Sequence, residues 1–162
     1  VDFYENGFYI GDIEVTPFRI SHDATYPLGY TFRCGQSRIS IATDMGIVAG
    51  SVYVNIKDSQ IVLLESNYDE EMLKNGPYEA RLKARILSNK GHMSNVMAGQ
   101  LALRLAGGPL ETLILGHLSD TNNTPEIALN TVKGCLGDKL EKIMVEVALQ
   151  QERSRIFEGY GK

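Results

Sequence analysis

No stretch of this 162-residue sequence stays apolar for anything near the roughly 20 residues that a helix needs to cross a bilayer. The longest apolar runs, such as Ile61-Val62-Leu63-Leu64, have the length of strands, so no membrane-spanning helix is expected. Cysteine is scarce as well. Cys34 and Cys135 lie about a hundred positions apart without a CxxC spacing, which argues against a thiolate metal cage or a disulfide framework. Two buried free thiols in a reducing cytoplasm are expected. A positive charge excess is also missing: 16 Lys and Arg face 20 Asp and Glu, for a net charge of −4. The chain as a whole is not drawn toward phosphate, so any nucleic-acid contact must come from a local patch. Lys74, Arg81, Lys83, Arg85 and Lys90 form one candidate, although charge alone favours a solvated helix face. There are no internal repeats and no low-complexity stretch, so no domain boundary is placed within residues 1–162. The sequence opens at Val1 in strand-like residues (Val1 to Tyr4), which suggests a processed product or a fragment.

What is present begins as strands. Phe8-Tyr9-Ile10, Ile13 to Ile20, Gly29 to Arg33 and Arg38 to Ala42 alternate apolar and polar positions. Turn signals separate them at Asn6-Gly7, Gly11-Asp12 and Cys34-Gly35-Gln36-Ser37. Gln60 to Leu64 is continuously apolar, as for a strand buried on both faces. From there the period changes. Helices are expected over about 69–75 and 79–88, and over about 95–106, where Ser94 is the cap, Met97, Leu101 and Leu105 form one stripe, and Gly107-Gly108 is the stop. Leu113 to Leu115 is a second buried strand, and Thr124-Pro125 opens a helix ending near Gly137. Ile143 to Ala148 is a last strand, and the tail from Gln150 to Lys162 is polar and expected to lack order. Strands first, then alternating helix and strand, predict a layered α/β domain.

The polar residues cluster at the ends of these strands. His22 follows Val15 to Ser21, Asp44 follows Ile39 to Thr43, Glu65 follows Ile61 to Leu64, and His117 follows Leu113 to Gly116. In α/β sheets, sites form beyond the carboxyl ends of strands. Of the three histidines, His22, His92 and His117, none lies inside an apolar periodic stretch, and His92 sits in Gly91-His92-Met93-Ser94 just before the cap. Two imidazoles and a carboxylate suit Zn²⁺ or Mn²⁺. Any one of these residues alone is commonly a loop anchor, Asp44 an Asx turn, or Glu65 a helix cap. Only their joint placement points to a site.

The segments Phe18-Arg19-Ile20-Ser21-His22-Asp23-Ala24, Ala42-Thr43-Asp44-Met45-Gly46, Leu64-Glu65-Ser66-Asn67-Tyr68-Asp69, Gly91-His92-Met93-Ser94-Asn95 and Gly116-His117-Leu118-Ser119, followed by Asn122-Asn123, stand in an order and spacing that resembles metallo-β-lactamase-fold hydrolases of the YycJ/WalJ type. Those are bacterial cytoplasmic proteins regarded as 5′-to-3′ DNA exonucleases. The resemblance spans about residues 8–148. It implies an α/β fold, the C-terminal half of a metallo-β-lactamase αββα sandwich, and two divalent metal ions, Zn²⁺ or Mn²⁺. It implies metal binding by His22, Asp44 (bridging) and His117, and proton donation by the pair Glu65 and His92. DNA becomes the expected partner of the full-length protein, with Arg81, Lys83, Arg85 and Lys90 as weak contacts. Tyr68 stands where relatives often have His.

One family signature, His-x-His-x-Asp-His, is absent from these 162 residues. The resemblance places it in a preceding half that would supply the remaining ligands. Each ion would then have at most two protein ligands here, fewer than the three usual for zinc, and this chain alone is expected to bind metal weakly and to be inactive. The inner face of its sheet is expected to be an exposed apolar patch. The alternatives are a hydrolase of small phosphodiesters, thioesters or lactones, and a truncated, non-catalytic module.

Overall fold

The computed structural model describes residues 6–158; the strand-like start at Val1 to Tyr4 and the last four residues of the tail lie outside them. One seven-stranded sheet runs in chain order: β1 (Phe8–Ile10), β2 (Ile13–Arg19), β3 (Leu28–Cys34), β4 (Ser37–Ala42), β5 (Ile61–Glu65), β6 (Thr112–Gly116) and β7 (Met144–Val147). β1 to β4 form an antiparallel meander, and β4 to β7 are parallel neighbours. Its first and third hairpins close through the two-residue turns Gly11-Asp12 and Gly35-Gln36. Both turn glycines have φ of 57°, a conformation cheap only for glycine.

The parallel half needs crossovers. α1 (Gly50–Ile56) joins β4 to β5; α2 (Glu70–Asn75), α3 (Ala80–Ile86) and α4 (Asn95–Leu105) join β5 to β6; α5 (Pro125–Leu136) and a 3₁₀ turn (Gly137–Lys142) join β6 to β7. Each new strand is laid on the same edge of the sheet, and right-handed crossovers made repeatedly in one direction put their helices on one face. Val52 and Ile56 of α1, Leu101 and Leu105 of α4, and Val132 and Leu136 of α5 accordingly pack in one core with Val62, Leu64, Leu113 and Leu115 of the sheet. Helices α4 and α5 approach closely at Gly99, where a Cβ would lie 2.6 Å from Cys135 Sγ. A small satellite cluster holds α2 and α3 through Tyr68, Leu73 and Ile86.

Sequence reading located nearly every strand and four of the helices. Ser94 and Thr124 cap α4 and α5 by accepting from Met97 N and Ile127 N. It missed α1, whose residues Val52, Tyr53, Val54 and Ile56 favour strands by propensity. Burial of Val52 and Ile56, one helical turn apart, overrides that preference. Two expectations need correction. β5 is not buried on both faces, because Leu63 is only half-buried while Val62 and Leu64 are fully buried. Helices cover one face of the sheet; across the other, the register aligns Tyr30, Ile41, Leu63 and Ile114 in one row, all half-buried, beside Ile39, which is exposed. Both cysteines are free, but neither is fully buried: Cys34 is exposed at the end of β3 and Cys135 is half-buried.

The two faces should respond differently to truncation. Leu113→Ala, at a fully buried position, should cost about 2–5 kcal/mol in urea unfolding. Ile39→Thr on the open face should cost about 0.5 kcal/mol or less and raise the concentration at which the chain stays monomeric in light scattering. Equal costs at the two sites would mean that the open face is packed.

Candidate metal centre

Strand direction decides which loops meet. β2 runs antiparallel to β3, and β3 to β4, so β2 points the same way as β4, β5, β6 and β7. The carboxyl ends of β2, β4, β5 and β6 therefore share one rim, and His22, Asp44, Glu65 and His117 come off those four ends. His92 joins them from the loop between α3 and α4. That loop is pressed against the others: a Cβ on Gly91 would lie 2.0 Å from Ile86 O, and one on Gly46 would lie 2.3 Å from Ser88 O. Neither position admits a side chain without moving the backbone beside His92 and Asp44.

Asp44 Oδ1 lies 3.6 Å from His22 Nε2 and 3.7 Å from His117 Nε2. One carboxylate oxygen thus sits between two imidazole nitrogens. The far nitrogens are fixed: His22 Nδ1–H donates to Gly91 O (3.1 Å), and His117 Nδ1–H donates to Glu65 Oε1 (2.9 Å). Both acceptors lack protons, so each Nδ1 must carry one, and in the neutral ring the lone pair is on Nε2, toward Asp44. Such nitrogen and carboxylate donors fit Zn²⁺ or Mn²⁺. Asp44 and His117 both adopt left-handed backbone, with φ of 63° and 57°. That conformation costs about 1–3 kcal/mol at a non-glycine residue, and the surrounding bonds hold it: Asn67 Nδ2 donates to His117 O (2.7 Å), and Met45 N to Glu65 Oε2 (2.6 Å).

Glu65 is the hub. It is 0% exposed and is the only buried charged residue among the described residues. Its Oε1 accepts from His92 Nδ1 (2.7 Å) as well as from His117 Nδ1, and its Oε2 accepts from Met45 N. Burial pushes the carboxyl upward, but the donors from His117, His92 and Met45 outweigh it and hold Glu65 below its ordinary 4.5. His117 is raised above its ordinary 6.5, first by its bond to Glu65, against desolvation and with help from the charge of Asp44.

The site residues read from sequence thus fall into two groups. His22, Asp44, Glu65, His92 and His117 converge. Of the candidate nucleic-acid contacts, Arg85 and Lys90 line the same cavity of about 570 Å³ as His22, Asp44, His92 and His117, with Tyr78 and Leu82 beside them. Arg81 and Lys83 do not line it, and Lys83 Nζ donates instead to Lys74 O (2.7 Å). A larger cavity of about 820 Å³ touches only His117 of the cluster, so the chemistry belongs to the smaller one. Tyr68 is buried in the satellite cluster. Sequence reasoning missed the supporting amides. Asn123 Nδ2 donates to Ser66 O (2.8 Å), Asn67 O (3.1 Å) and Asn95 Oδ1 (2.9 Å), and Ser66 Oγ donates to Asn95 Oδ1 (2.6 Å). The available signal was three Asn residues and a Ser inside the very segments that carry the charged ones.

No family model matches the chain. In sequence it is 38% identical over 122 residues to exodeoxyribonuclease WalJ of Streptococcus pneumoniae serotype 2, covering 75% of this chain and 45% of that protein. It is 37% identical over 129 residues to exodeoxyribonuclease YycJ of Bacillus anthracis, covering 80% of this chain and 49% of the relative. The chain therefore spans about half the length of the curated relatives it matches. Its structure resembles the metallo-β-lactamase fold protein YhfI from Bacillus subtilis (TM-score 0.62, 14% identity, 90% of this chain and 50% of that one). It also resembles a diphosphatase from the PhnP family (TM-score 0.57, 13% identity, 89% and 43%) and the short form of human tRNase Z (TM-score 0.51, 22% identity, 74% and 42%). At these identities the structural likenesses show the fold alone.

Three N–H donors aim at one carboxylate, so Glu65→Gln cannot satisfy them all: its amide must turn a donor toward Met45 N–H or toward the two imidazoles. The substitution should cost about 1–3 kcal/mol in denaturant unfolding of the metal-free chain, and an NMR titration should show the pKa of His117 falling. The sign of the pH dependence follows from the shifts. The Glu65 contribution is complete above 4.5 and is lost as pH falls through its lowered folded value, whereas that of His117 is complete below 6.5 and is lost as pH rises through its raised folded value. The pair therefore stabilises the metal-free chain most between these ordinary values. A stability profile unchanged by Glu65→Gln would refute the hub.

Proposed function

Starting from a chain homologous to about half of a WalJ/YycJ exodeoxyribonuclease and carrying the metallo-β-lactamase type of fold, we propose that the whole protein is a metal-dependent phosphodiesterase that removes nucleotides from the 5′ ends of DNA. The observation that carries this reading is the position of Asp44 Oδ1 between the free nitrogens of His22 and His117. His22 Nε2 and His117 Nε2 would each hold a divalent cation, with the Asp44 carboxylate between them as a further ligand. When bound, two such ions lower the pKa of a shared water and stabilise the charge that develops on phosphate.

The chain's own residues do the rest. Glu65 fixes Nδ1 of His92 as a donor, so Nε2 of His92 faces the cavity and gives its proton to the departing oxygen. Lys90, which has no ion-pair partner among the described residues, and Arg85, tied to Asp23 at 2.6 Å, stand on the same wall to meet backbone phosphates. Residues 1–162 form one partial domain. The further ligands come from a segment carrying His-x-His-x-Asp-His, which these residues lack, and that segment also covers the open face of the sheet. We place the protein in the cytoplasm, where its two thiols stay free; no helix among the described residues is long and apolar enough to cross a membrane.

A single-turnover assay with end-labelled double-stranded DNA and Mn²⁺ or Zn²⁺ tests the reading. The chain by itself should cut no faster than metal alone. The same residues within a protein that supplies the missing signature should release nucleotides from the 5′ end, and Asp44→Asn should reduce that rate by about 10³-fold or more, as for loss of other central electrostatic groups. Lys90→Ala should lower the salt slope of DNA binding by about one unit. Hydrolysis of small phosphodiesters, thioesters or lactones that DNA fails to inhibit would replace the nuclease reading with a small-molecule one.

A further inference from the structure

His22, Asp44 and His92 form a cluster in its own right: one ligand atom from each lies within 4.8 Å of the others. The hydrogen bonds identify those atoms. Nδ1 of His22 is committed to Gly91 O, and Nδ1 of His92 to Glu65 Oε1, leaving Nε2 of both rings free. Asp44 offers Oδ1, 3.6 Å from His22 Nε2. Bonds of about 2.0–2.2 Å to a tetrahedral Zn²⁺ place neighbouring donors somewhat over 3 Å apart, so the spacing of His22 and Asp44 needs only a small contraction and His92, within 4.8 Å of both, a larger one. The rings of His22 and His92 lie with centroids 5.1 Å apart and tilted by 56°, rather than stacked, so their nitrogens can aim at one point between them.

The neighbouring trio of Glu65, His92 and His117 also lies within reach of a single ion, but its oxygen is already spent. Glu65 Oε1 accepts both Nδ1–H groups, and a cation there would have to displace two protons and enter a position that is 0% exposed. The first trio has no such obstacle. Its side chains are 14%, 37% and 21% exposed and line the open cavity.

We propose that this chain holds one divalent transition-metal ion through His22 Nε2, Asp44 Oδ1 and His92 Nε2, with His92 as the third protein ligand. The site does not depend on the nuclease reading. It meets the three-ligand minimum for zinc within these residues, contrary to the expectation that no ion here has more than two. It also has a consequence for the chemistry. A cation on Nε2 of His92 occupies the lone pair that would carry the donated proton, so the single-ion form and the proton-donating form exclude one another. The chain then keeps one ion in a resting arrangement, and His92 is released when further ligands compete for that ion.

Zn²⁺ titration of the metal-free chain, with its histidines labelled with nitrogen-15, tests this directly. Calorimetry should count one ion per chain. Long-range proton–nitrogen spectra should show the Nε2 signals of His22 and His92 moving together while both Nδ1 atoms stay protonated and His117 stays put. His92→Gln, which keeps a donor for Glu65, should weaken Zn²⁺ binding more than about 100-fold, beyond the 10–100-fold typical of losing an outer supporting group, whereas His117→Gln should change it by no more than about threefold. Movement of His117 Nε2 in place of His92, or undiminished affinity in His92→Gln, would overturn the proposal, as would the absence of Zn²⁺ binding. None of these readings involves DNA, so the nuclease proposal stands or falls apart from this one.

Discussion

Three hydrogen bonds to one buried carboxylate organise this molecule. Glu65 ends a central strand with no exposed surface, where an ion without partners would be intolerable. It is satisfied by N–H groups from three different loops: Met45 after β4, His92 before α4 and His117 after β6. The cost of burying its charge thereby becomes a constraint on geometry. The loops that carry Asp44, His92 and His117 must come to Glu65, and the imidazoles of His92 and His117 must present their other nitrogens outward, while His22 is held separately through Gly91 O. The left-handed backbone at Asp44 and His117 is the strain accepted to meet that demand.

The sheet makes the convergence possible. An antiparallel meander reverses the chain twice between β2 and β4, and parallel crossovers then preserve its direction, so the useful loops emerge on one rim. The same crossovers put all their packing on one face. The opposite face carries Tyr30, Ile41, Leu63 and Ile114 in a row without helices over them.

Much of this was legible from residue order. Strands, caps and the strand-end positions of His22, Asp44, Glu65 and His117 follow from period and turn chemistry, and the caps at Ser94 and Thr124 accept the bonds expected of them. α1 was not legible, because its β-branched residues contradict the helix that tertiary burial imposes. Lys83 and Arg81 could not be separated from Arg85 and Lys90 by charge, because charge does not report the direction a side chain takes from α3 or from the loop after it, and only packing shows which cations face the cavity.

The sequence by itself determined which groups could do chemistry and that His22, Asp44, Glu65 and His117 follow strands, because hydrophobic periodicity and turn residues are local properties. It also settled that no HxH signature lies within these residues. Only the tertiary structure decided how those groups pair. That one oxygen of Glu65 serves both His92 and His117, and that Asp44 faces the free nitrogens of His22 and His117, depends on loops brought together from 22 to 73 positions apart. No local rule fixes such distances. They are set by strand direction, by the close passage of Gly46 and Gly91, and by a buried charge that must be satisfied.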